Sequence, residues 1–533
     1  MPLFFFTIRK DCGIMRVITI NPFRICKDLS SMSKKKKRIT AALWVIAFLI
    51  AAVSFFAVVF TDYLVSISAG LDALLYTVTA DTKGTNPEVI RAGARFILPP
   101  LLLQAGVTAL LTGAVHAGFR LWKRAGKGEK ARKMMCCVVS CVLLAAEILY
   151  IPYCSLKYVN RNLGVTEYLR HRREKTGIYE ECFDMPDRSR VKPPQRGKNL
   201  IFVWLESMET TYADGENGGF QEENLIPRLM DLSDRNLRFA GQTNPLSGLE
   251  SIDYSRWTFG ALFSALSGAP CAYHIRRNTA WNGGIAPEAV FLTDILNESG
   301  YRTEYICGSD ASFAGTASAL TQHGVQTIYD LNTAYENGEV PQGYFEGWGI
   351  EDGKLYEIVK KELTALSSGD APFMLMFSTI DTHYPTGYLC AYCPDTYENP
   401  TANIVSCADR QASEFIAWCG EQPFFEDTVI VLLGDHPRMD AELVEGAPYG
   451  DRKLYNCFIN VSAAPGAEKD RVYTMLDIAP TLLTAMGFTM DGGRFGFGTD
   501  LASGKPTLPE ELGYEYFRAE LSKTSDYFIE HFY

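Results

Sequence analysis

Three apolar segments in the first third of the chain are long enough to cross a membrane. Residues 39–60 are almost free of charge, and about 20 such residues span the hydrocarbon of a bilayer. Residues 96–119 and 134–156 form the second and third predicted spans, with Glu147 inside the third. Buried core helices are the alternative interpretation, which the lengths and flanks of these segments disfavour. Residues 64–80 are apolar but short, so we expect an interfacial or re-entrant segment there.

Basic clusters beside these spans predict their orientation. One cluster covers residues 34–38, and the other lies between residues 120 and 133. The positive-inside rule places both in the cytoplasm and everything after about residue 157 outside. The predicted domains are a basic N-terminus (1–38), a membrane domain with three transmembrane helices (39–156), a linker (157–196) and an extracytoplasmic domain (197–533). We expect translation to begin at Met32, directly before the lysine run.

From residue 199 onward, short apolar runs alternate with segments of helical pattern. This alternation predicts an α/β sandwich with a largely parallel sheet, and the length is sufficient for a large core. The predicted strands are 200–205, 303–306, 373–378, 428–433 and 454–460. The predicted helices are 224–236, 258–266, 287–299, 352–367, 403–418 and 475–486.

Two of the predicted strands end abruptly in residues that bind metals. The first run ends at Glu206, and the run 428–433 is followed by Gly434, Asp435 and His436. Ligands of open α/β sheets bind at the carboxyl ends of strands. A single acid at a strand end is more often a cap. Both ends together, behind an apolar N-terminal third, predict a metal site of Glu206, Asp435 and His436.

Thr258 opens an apolar helix and is the candidate nucleophile. Backbone N–H groups at a helix N-terminus favour an anion, and a threonine hydroxyl needs activation, which metal coordination provides. On this stretch alone, an ordinary N-cap is the favoured interpretation of Thr258.

His383 and Trp348 are the remaining candidates. His383 follows a further apolar strand and is suited to contact a phosphoryl oxygen or protonate a leaving oxygen, although a solvated surface histidine is the more common case. Trp348 lies between glycines and fits a pocket wall or ordinary packing equally well.

The charge is unevenly distributed along the chain. The net charge is −11, but residues 1–160 carry +13 and the remainder carries −24. A basic apolar front with an acidic body indicates a membrane anchor carrying a soluble domain, and it argues against nucleic acid as the partner of that body. The oligomeric state stays open.

Eight of the 14 cysteines follow residue 160. Cys390 and Cys393, with Cys407 and Cys419, allow a disulfide or a zinc set. An outside compartment favours a disulfide, and free thiols in an anaerobe are a third possibility.

Five motifs, taken in order, resemble the alkaline phosphatase/sulfatase superfamily. The resemblance covers residues 197–502 and is strongest to the membrane-anchored phosphoglycerol transferase I and lipoteichoic acid synthase family. The motifs are NLIFVWLES, YSRWTFGALFSALSGAP, STIDTHYP, LLGDH and TMLDIAPTLLTAMG. This resemblance implies an extracytoplasmic α/β/α domain that uses a divalent cation, Mn²⁺ or Mg²⁺, with Zn²⁺ as a further possibility.

The resemblance also assigns roles to the candidate residues. Glu206, Asp435 and His436 match the metal ligands, and Thr258 matches the metal-bound nucleophile. His383 matches a residue that contacts the phosphoglycerol headgroup, and Trp348 matches a pocket aromatic.

Two departures narrow the implied activity. Thr258 is followed by Phe-Gly-Ala-Leu, which lacks the Cys/Ser-x-Pro-x-Arg motif that sulfatase activity requires. Asp435-His436 is followed by Pro-Arg-Met, whereas phosphoethanolamine transferases continue Gly-Glu-Ser and carry another histidine nearby; the next histidine here is His531. The first departure disfavours a sulfatase, and the second favours phosphoglycerol transfer over phosphoethanolamine transfer.

The sequence therefore predicts a metal-dependent transferase at the cell membrane. It is expected to move phosphoglycerol from phosphatidylglycerol to a cell-envelope glycan or glycerolphosphate acceptor through a phospho-threonine intermediate. The alternatives are a phosphoethanolamine transferase or phosphodiesterase on the same fold, and a non-enzymatic membrane sensor.

Overall fold

The computed structural model describes most of the chain beyond residue 145. It covers residues 34–66, 93–103, 146–272, 284–384, 387–439 and 442–532, together with isolated positions between 71 and 142. The described residues form two compact units. One lies within residues 1–60 and 96–159, and the other lies within 61–95 and 160–533.

The N-terminal part contains one long apolar helix, α1 (Lys34–Ser66). Within it, Val45–Val65 has a mean hydropathy of 2.4 and is the one described helix long and apolar enough to cross a membrane. The first predicted span, residues 39–60, falls in α1. The second, residues 96–119, and the segment 64–80 lie largely outside the described residues, and the third, residues 134–156, is described mainly from residue 146 onward. The described pieces in these segments include the apolar helix Gly93–Leu103, a π-helical turn at Ala146–Tyr150 and the start of the helix Ile151–Leu163.

A six-stranded sheet forms the centre of the second unit. Its strands are β1 (Asn199–Leu205), β2 (Arg302–Cys307), β3 (Thr327–Tyr329), β4 (Phe373–Ser378), β5 (Thr428–Gly434) and β6 (Asn456–Ile459). The order across the sheet is β3-β2-β4-β1-β5-β6. Only the pair β5–β6 within this sheet is antiparallel.

Helices cover both faces of this sheet. Side chains alternate along each strand, so Phe202 and Trp204 of β1 belong to one apolar core while Ile201 and Val203 belong to the other. Nearly every β1 side chain is fully buried, as expected for a strand with two covered faces. The predicted α/β architecture with a largely parallel sheet is confirmed.

Most helices after residue 150 are short. The two long ones, Asp352–Ser367 and Pro400–Gly420, pack together on one face of the sheet. The bounds are α2 (Ile151–Leu163), α3 (Val165–His171), α4 (Ile178–Cys182), α5 (Pro227–Arg235), α6 (Thr258–Ser267), α7 (Leu292–Glu298), α8 (Thr316–Gln322), α9 (Leu331–Glu336), α10 (Asp352–Ser367), α11 (Pro400–Gly420), α12 (Ile478–Ala485), α13 (Leu508–Leu512), α14 (Tyr514–Leu521) and α15 (Asp526–Phe532). Short strand pairs join Val191–Lys192 with Thr489–Met490, Leu249–Glu250 with Tyr473–Thr474, and Arg494–Phe495 with Gly498–Thr499.

All five predicted strands and all six predicted helices are present, with ends shifted by a few residues. The predicted helix 287–299 is shorter in the structure and begins at Leu292. The edge strand β3 was not predicted, because its three residues are too short to show a period. The C-terminal helices α13 to α15 were also not predicted.

The predicted linker, residues 157–196, contains helices and packed side chains. The aromatic rings of Tyr179 and Phe183 are buried, and they contact Phe497, Phe528 and Phe532. The C-terminal helices therefore close over the segment that leads into β1. The boundary at residue 197 stays a prediction.

Candidate active site

The register of the sheet places the two candidate metal-binding carboxylates side by side. Leu205, the last residue of β1, pairs with Gly434, the last residue of β5, so Glu206 and Asp435 leave adjacent strands at the same level. Glycine is required at position 434, because a Cβ there would lie 1.8 Å from the carbonyl oxygen of Met208. The convergence expected from the two strand ends is present.

Ser207 ties the two strand ends together. Its backbone N–H donates to Asp435 Oδ1 at 2.7 Å, and its hydroxyl donates to Glu206 Oε1 at 2.6 Å. Its φ angle is 52°, in the left-handed region that non-glycine residues rarely adopt. Strain of this kind persists where surrounding contacts hold it, and here two hydrogen bonds do so.

Glu206, Asp435 and His436 form a buried cluster suited to a metal ion. One ligand atom from each lies within 4.8 Å of the others. The Nδ1–H of His436 donates to the carbonyl oxygen of Pro437 at 3.0 Å, because that oxygen can only accept. This bond leaves the Nε2 lone pair facing the two carboxylates, each 3.5 Å away. A metal-binding imidazole is held by its other nitrogen in this way.

The electrostatics of the cluster also fit a divalent cation. Burial and the nearby Glu206 carboxylate raise the pKa of Asp435 to about 7. Burial disfavours protonation of His436, but the Asp435 and Glu206 carboxylates outweigh it and raise the pKa of His436. Two buried carboxylates in one pocket repel each other, and a cation between them removes that repulsion. Oxygen and imidazole donors accept Mn²⁺, Mg²⁺ or Zn²⁺, so the residues fit the implied metal.

Thr258 lies within reach of this cluster. It is the first residue of α6, and the N-cap is Trp257, so the interpretation of Thr258 as an N-cap is wrong. The Thr258 hydroxyl oxygen lies 3.3 Å from Glu206 Oε2 and 3.4 Å from His436 Nε2. The helix N-terminus, with its partial positive charge, lies beside the same hydroxyl.

His383 and Trp348 lie against each other in a neighbouring loop. Their ring centroids are 4.1 Å apart, and Trp348 Nε1 donates to the carbonyl oxygen of Tyr384 at 3.0 Å. The same carbonyl accepts from His383 Nδ1 at 2.5 Å, so Nε2 of His383 carries the lone pair. Burial lowers the pKa of His383 to about 4, which keeps the ring neutral at pH 7. His383 is packed and partly buried, which does not match a solvated surface histidine.

Two threonines that the sequence analysis did not single out fix Glu206 from the side of β4. Thr379 accepts from the backbone N–H of Glu206 at 3.0 Å, and Thr382 donates to the backbone carbonyl of Glu206 at 2.6 Å. Thr382 directly precedes His383, so these bonds connect the cluster with the loop that carries His383. Both threonines stand in the motif STIDTHYP, which is the signal available in the sequence.

A buried ion pair supports the cluster from the other side. Glu209 is fully buried and accepts two hydrogen bonds from Arg452, at 2.6 and 2.8 Å. Glu209 also accepts from the backbone N–H of Arg438, whose side chain donates to the carbonyl of Thr382 at 3.1 Å. Arg438 was noted in the sequence only as a departure after His436. Glu209 and Thr382 are each more than 50 residues away from Arg438, and local pattern does not predict contacts over such a separation.

A model of the sulfatase family matches residues 198–488, more than half of the chain. The chain belongs to the sulfatase family. The matched residues include the whole cluster, Thr258 and His383, and the predicted resemblance to the superfamily is confirmed.

Similar proteins come from several bacteria. The curated phosphoglycerol transferase I of Xanthomonas campestris pv. campestris (strain B100) is 31% identical over 319 residues, which cover 58% of this chain and 43% of that protein. The chain thus spans less than half the length of this relative.

Two solved structures are also similar to part of the chain. A protein of the alkaline phosphatase superfamily from Vibrio parahaemolyticus has a TM-score of 0.47 at 22% identity, covering 59% of this chain and 72% of its own. The lipoteichoic acid synthase LtaP from Listeria monocytogenes has a TM-score of 0.45 at 21% identity, covering 58% and 76% respectively.

Proposed function

We propose that this protein is a metal-dependent phosphotransferase that moves phosphoglycerol from phosphatidylglycerol to a cell-envelope glycan or glycerolphosphate acceptor. The observation that carries the proposal is the position of the Thr258 hydroxyl, 3.3 Å from Glu206 and 3.4 Å from His436 at the start of α6. Membership of the sulfatase family and similarity to proteins named phosphoglycerol transferase I support it.

Glu206, Asp435, His436 and Thr258 would hold the divalent cation. When bound, such a cation lowers the pKa of the Thr258 hydroxyl and neutralises charge on the phosphoryl oxygens. Mn²⁺ or Mg²⁺ is the proposed ion, with Zn²⁺ compatible with the same donors.

Thr258 carries the first displacement. Its hydroxyl gives up a proton and its oxygen attacks the phosphorus in line, so that an O–P bond forms while the P–O bond to diacylglycerol breaks, and the released diacylglycerol oxygen takes up a proton. The product on the protein is glycerophosphoryl-threonine, and Glu206 Oε2 is the hydrogen-bond partner of the Thr258 hydroxyl before the attack. The N-terminal amides of α6 favour the extra negative charge of the transition state. Positioning and electrostatics carry most of the catalysis in phosphoryl transfer.

His383 is the proton acceptor in the second displacement. An acceptor hydroxyl attacks the phosphoryl-threonine, the new O–P bond forms, the bond to Thr258 breaks, and the Thr258 oxygen takes up a proton. A neutral imidazole with its Nε2 lone pair available suits proton acceptance from that hydroxyl. Trp348 packs against His383 and forms the wall beside the glycerol headgroup.

The proposed location is the cell membrane, with the catalytic domain outside. Val45–Val65 provides one span. The apolar segments 96–119 and 134–156 provide two further spans in a multi-pass arrangement. The site then lies on the same side as the outer-leaflet lipid donor.

A donor assay tests this function. The full chain in detergent receives Mn²⁺ and either phosphatidylglycerol or phosphatidylethanolamine with a labelled headgroup, and diacylglycerol release and the fate of the label are followed. Faster release from phosphatidylglycerol, with label on an added glycan or glycerolphosphate, supports the proposal. Preference for phosphatidylethanolamine indicates a phosphoethanolamine transferase, and label found only in water indicates a phosphodiesterase. No turnover of either lipid by metal-loaded protein indicates a non-enzymatic role.

A further inference from the structure

Three cysteines converge between the segment that follows His383 and the helix α11. Cys390 and Cys393 follow the loop that carries His383, and Cys407 lies on α11. The Cys390 sulfur lies 3.5 Å from that of Cys393 and 3.7 Å from that of Cys407, and all three lie within 4.8 Å of one another. We call these residues the thiol cluster. Cys419, which the sequence grouped with them, is not part of it.

The spacing of the sulfurs matches a metal site better than a disulfide. A disulfide brings two sulfurs to about 2.05 Å. Zinc binds thiolate sulfur at about 2.3 Å in tetrahedral geometry, which sets neighbouring sulfurs about 3.8 Å apart. The separations of 3.5 and 3.7 Å are close to that tetrahedral edge. The disulfide favoured from the sequence is not formed among these three cysteines, which are free thiols.

The surroundings of the thiol cluster favour a thiolate at Cys407. Cys390 and Cys407 are buried. Gln411 Nε2 donates to the Cys407 sulfur at 3.1 Å, and Arg410 Nη2 lies 3.5 Å from it. N–H groups that donate to a metal-bound ligand orient it and spread its charge. Arg410 also donates to the carbonyl of Tyr392 at 2.8 Å, so one side chain contacts both the loop and the helix of the cluster.

We propose that Cys390, Cys393 and Cys407 bind a zinc ion that fastens the loop after His383 to α11. Soft thiolate donors select Zn²⁺ over the Mn²⁺ and Mg²⁺ that suit the carboxylate cluster. Binding releases the thiol protons to solvent, and water fills the fourth position, since no fourth Cys, His, Asp or Glu among the described residues joins the group. The inference does not depend on the proposed transferase activity.

Metal analysis of the full chain in detergent tests the site. The Glu206→Gln variant serves as the background, because it weakens the carboxylate cluster and leaves the thiol cluster intact. After anaerobic purification and dialysis against Zn²⁺, this background is expected to retain about one zinc ion per chain, and adding Cys407→Ser should remove it. Cys419→Ser is the matched control, since Cys419 lies on the same helix and is fully buried. It should retain the ion.

Cobalt replacement identifies the donor atoms. The Co²⁺-loaded Glu206→Gln protein should show a sulfur-to-cobalt charge-transfer band, which oxygen and imidazole donors do not produce. The band should disappear with Cys407→Ser and persist with Cys419→Ser. Absence of both the band and the zinc in a folded background protein would overturn the inference.

A thiol titration of the unmutated chain covers the case in which Cys407→Ser does not fold. Stepwise addition of a mercurial should release zinc as the cluster thiols react. A disulfide between any two of the three cysteines in peptides from the anaerobically purified, non-reduced protein would contradict the proposal.

Discussion

The backbone N–H of Ser207 donates to Asp435 Oδ1 at 2.7 Å, and this bond joins the ends of two neighbouring strands. It fixes one oxygen of Asp435 and leaves Oδ2 on the side of His436 Nε2. The Ser207 hydroxyl fixes Glu206 at the same time. The position of the candidate metal ligands therefore depends on a residue that is not itself a ligand.

Gly434→Ala should damage the site without touching a ligand. The new Cβ would lie 1.8 Å from the Met208 carbonyl, so β5 must move away from the segment after β1. We expect a loss of about 1–3 kcal/mol in stability and weaker Mn²⁺ binding. Gly420→Ala is the control, because a Cβ there meets nothing within 4 Å. Equal melting temperatures and Mn²⁺ affinities for the two variants would contradict the close approach.

Glu206→Gln should weaken metal binding. It removes one negative charge from a buried ligand set of two carboxylates and an imidazole. The Mn²⁺ concentration for half-maximal diacylglycerol release should rise at least about tenfold, since metal affinity grows with ligand charge. Glu304→Gln is the matched control, because Glu304 is also a buried carboxylate but belongs to β2. A similar rise in both variants would indicate a general effect of charge and count against the site.

Glu304 should also make stability depend on pH. Burial, with repulsion from Glu362, raises its pKa to about 7, from 4.5 in the unfolded chain. A raised acid pKa means that the native state holds the Glu304 proton more tightly, so the contribution of Glu304 to stability is greatest below about pH 4.5 and is lost as pH rises to about 7. Between about pH 5 and pH 9, Glu304→Gln should reduce this fall by about 2–3 kcal/mol. Thermal unfolding of the wild type and of Glu304→Gln at both pH values measures this difference. An equal pH dependence of stability in the two proteins would contradict the raised pKa of Glu304.

Trp348→Phe should affect substrate binding more than chemistry. The substitution keeps a ring beside His383 but removes the Nε1 donor to the Tyr384 carbonyl. Loss of one hydrogen bond of about 1 kcal/mol predicts a rise of about fivefold in KM with little change in kcat. Trp418→Phe, on α11, is the control. A fall in kcat of about fivefold with no change in KM would place Trp348 outside the headgroup pocket.

Strand periodicity explains why Glu206 and Asp435 were predicted from the sequence. A long apolar run that stops at a charged residue places that residue at a sheet edge. The parallel register of β1 and β5 then brings Glu206 and Asp435 to the same level. The roles of Ser207, Arg438 and Arg452 were not predicted. Each acts through contacts with residues distant in sequence, such as the pair Glu209–Arg452, and tertiary approach of this kind leaves no local period.

The members of the thiol cluster were also not predictable from local sequence pattern alone. The spacing of Cys390 and Cys393, with Cys407 and Cys419, allowed a disulfide or a zinc set, but no local feature distinguished Cys407 from Cys419 as the third member. Both lie on α11, and their separation along the helix determines which one faces the loop.

Thr258→Ala should lower diacylglycerol release by at least about a thousandfold while the protein keeps its fold, because Thr258 is the proposed nucleophile. Ser264→Ala is the matched control on the same helix, since its buried hydroxyl has no hydrogen-bond partner among the described residues. It should keep wild-type turnover. Residual turnover of Thr258→Ala within about tenfold of the wild type would refute the assignment of the nucleophile.

Intact-mass spectrometry after incubation with Mn²⁺ and phosphatidylglycerol tests the account most directly. The full chain without acceptor should gain the mass of one glycerophosphoryl group, and peptide sequencing should place that group on Thr258. The Thr258→Ala variant should gain nothing, and Ser264→Ala should gain the same mass as the wild type. A glycerophosphoryl group on any other residue, or its presence on Thr258→Ala, would contradict the account.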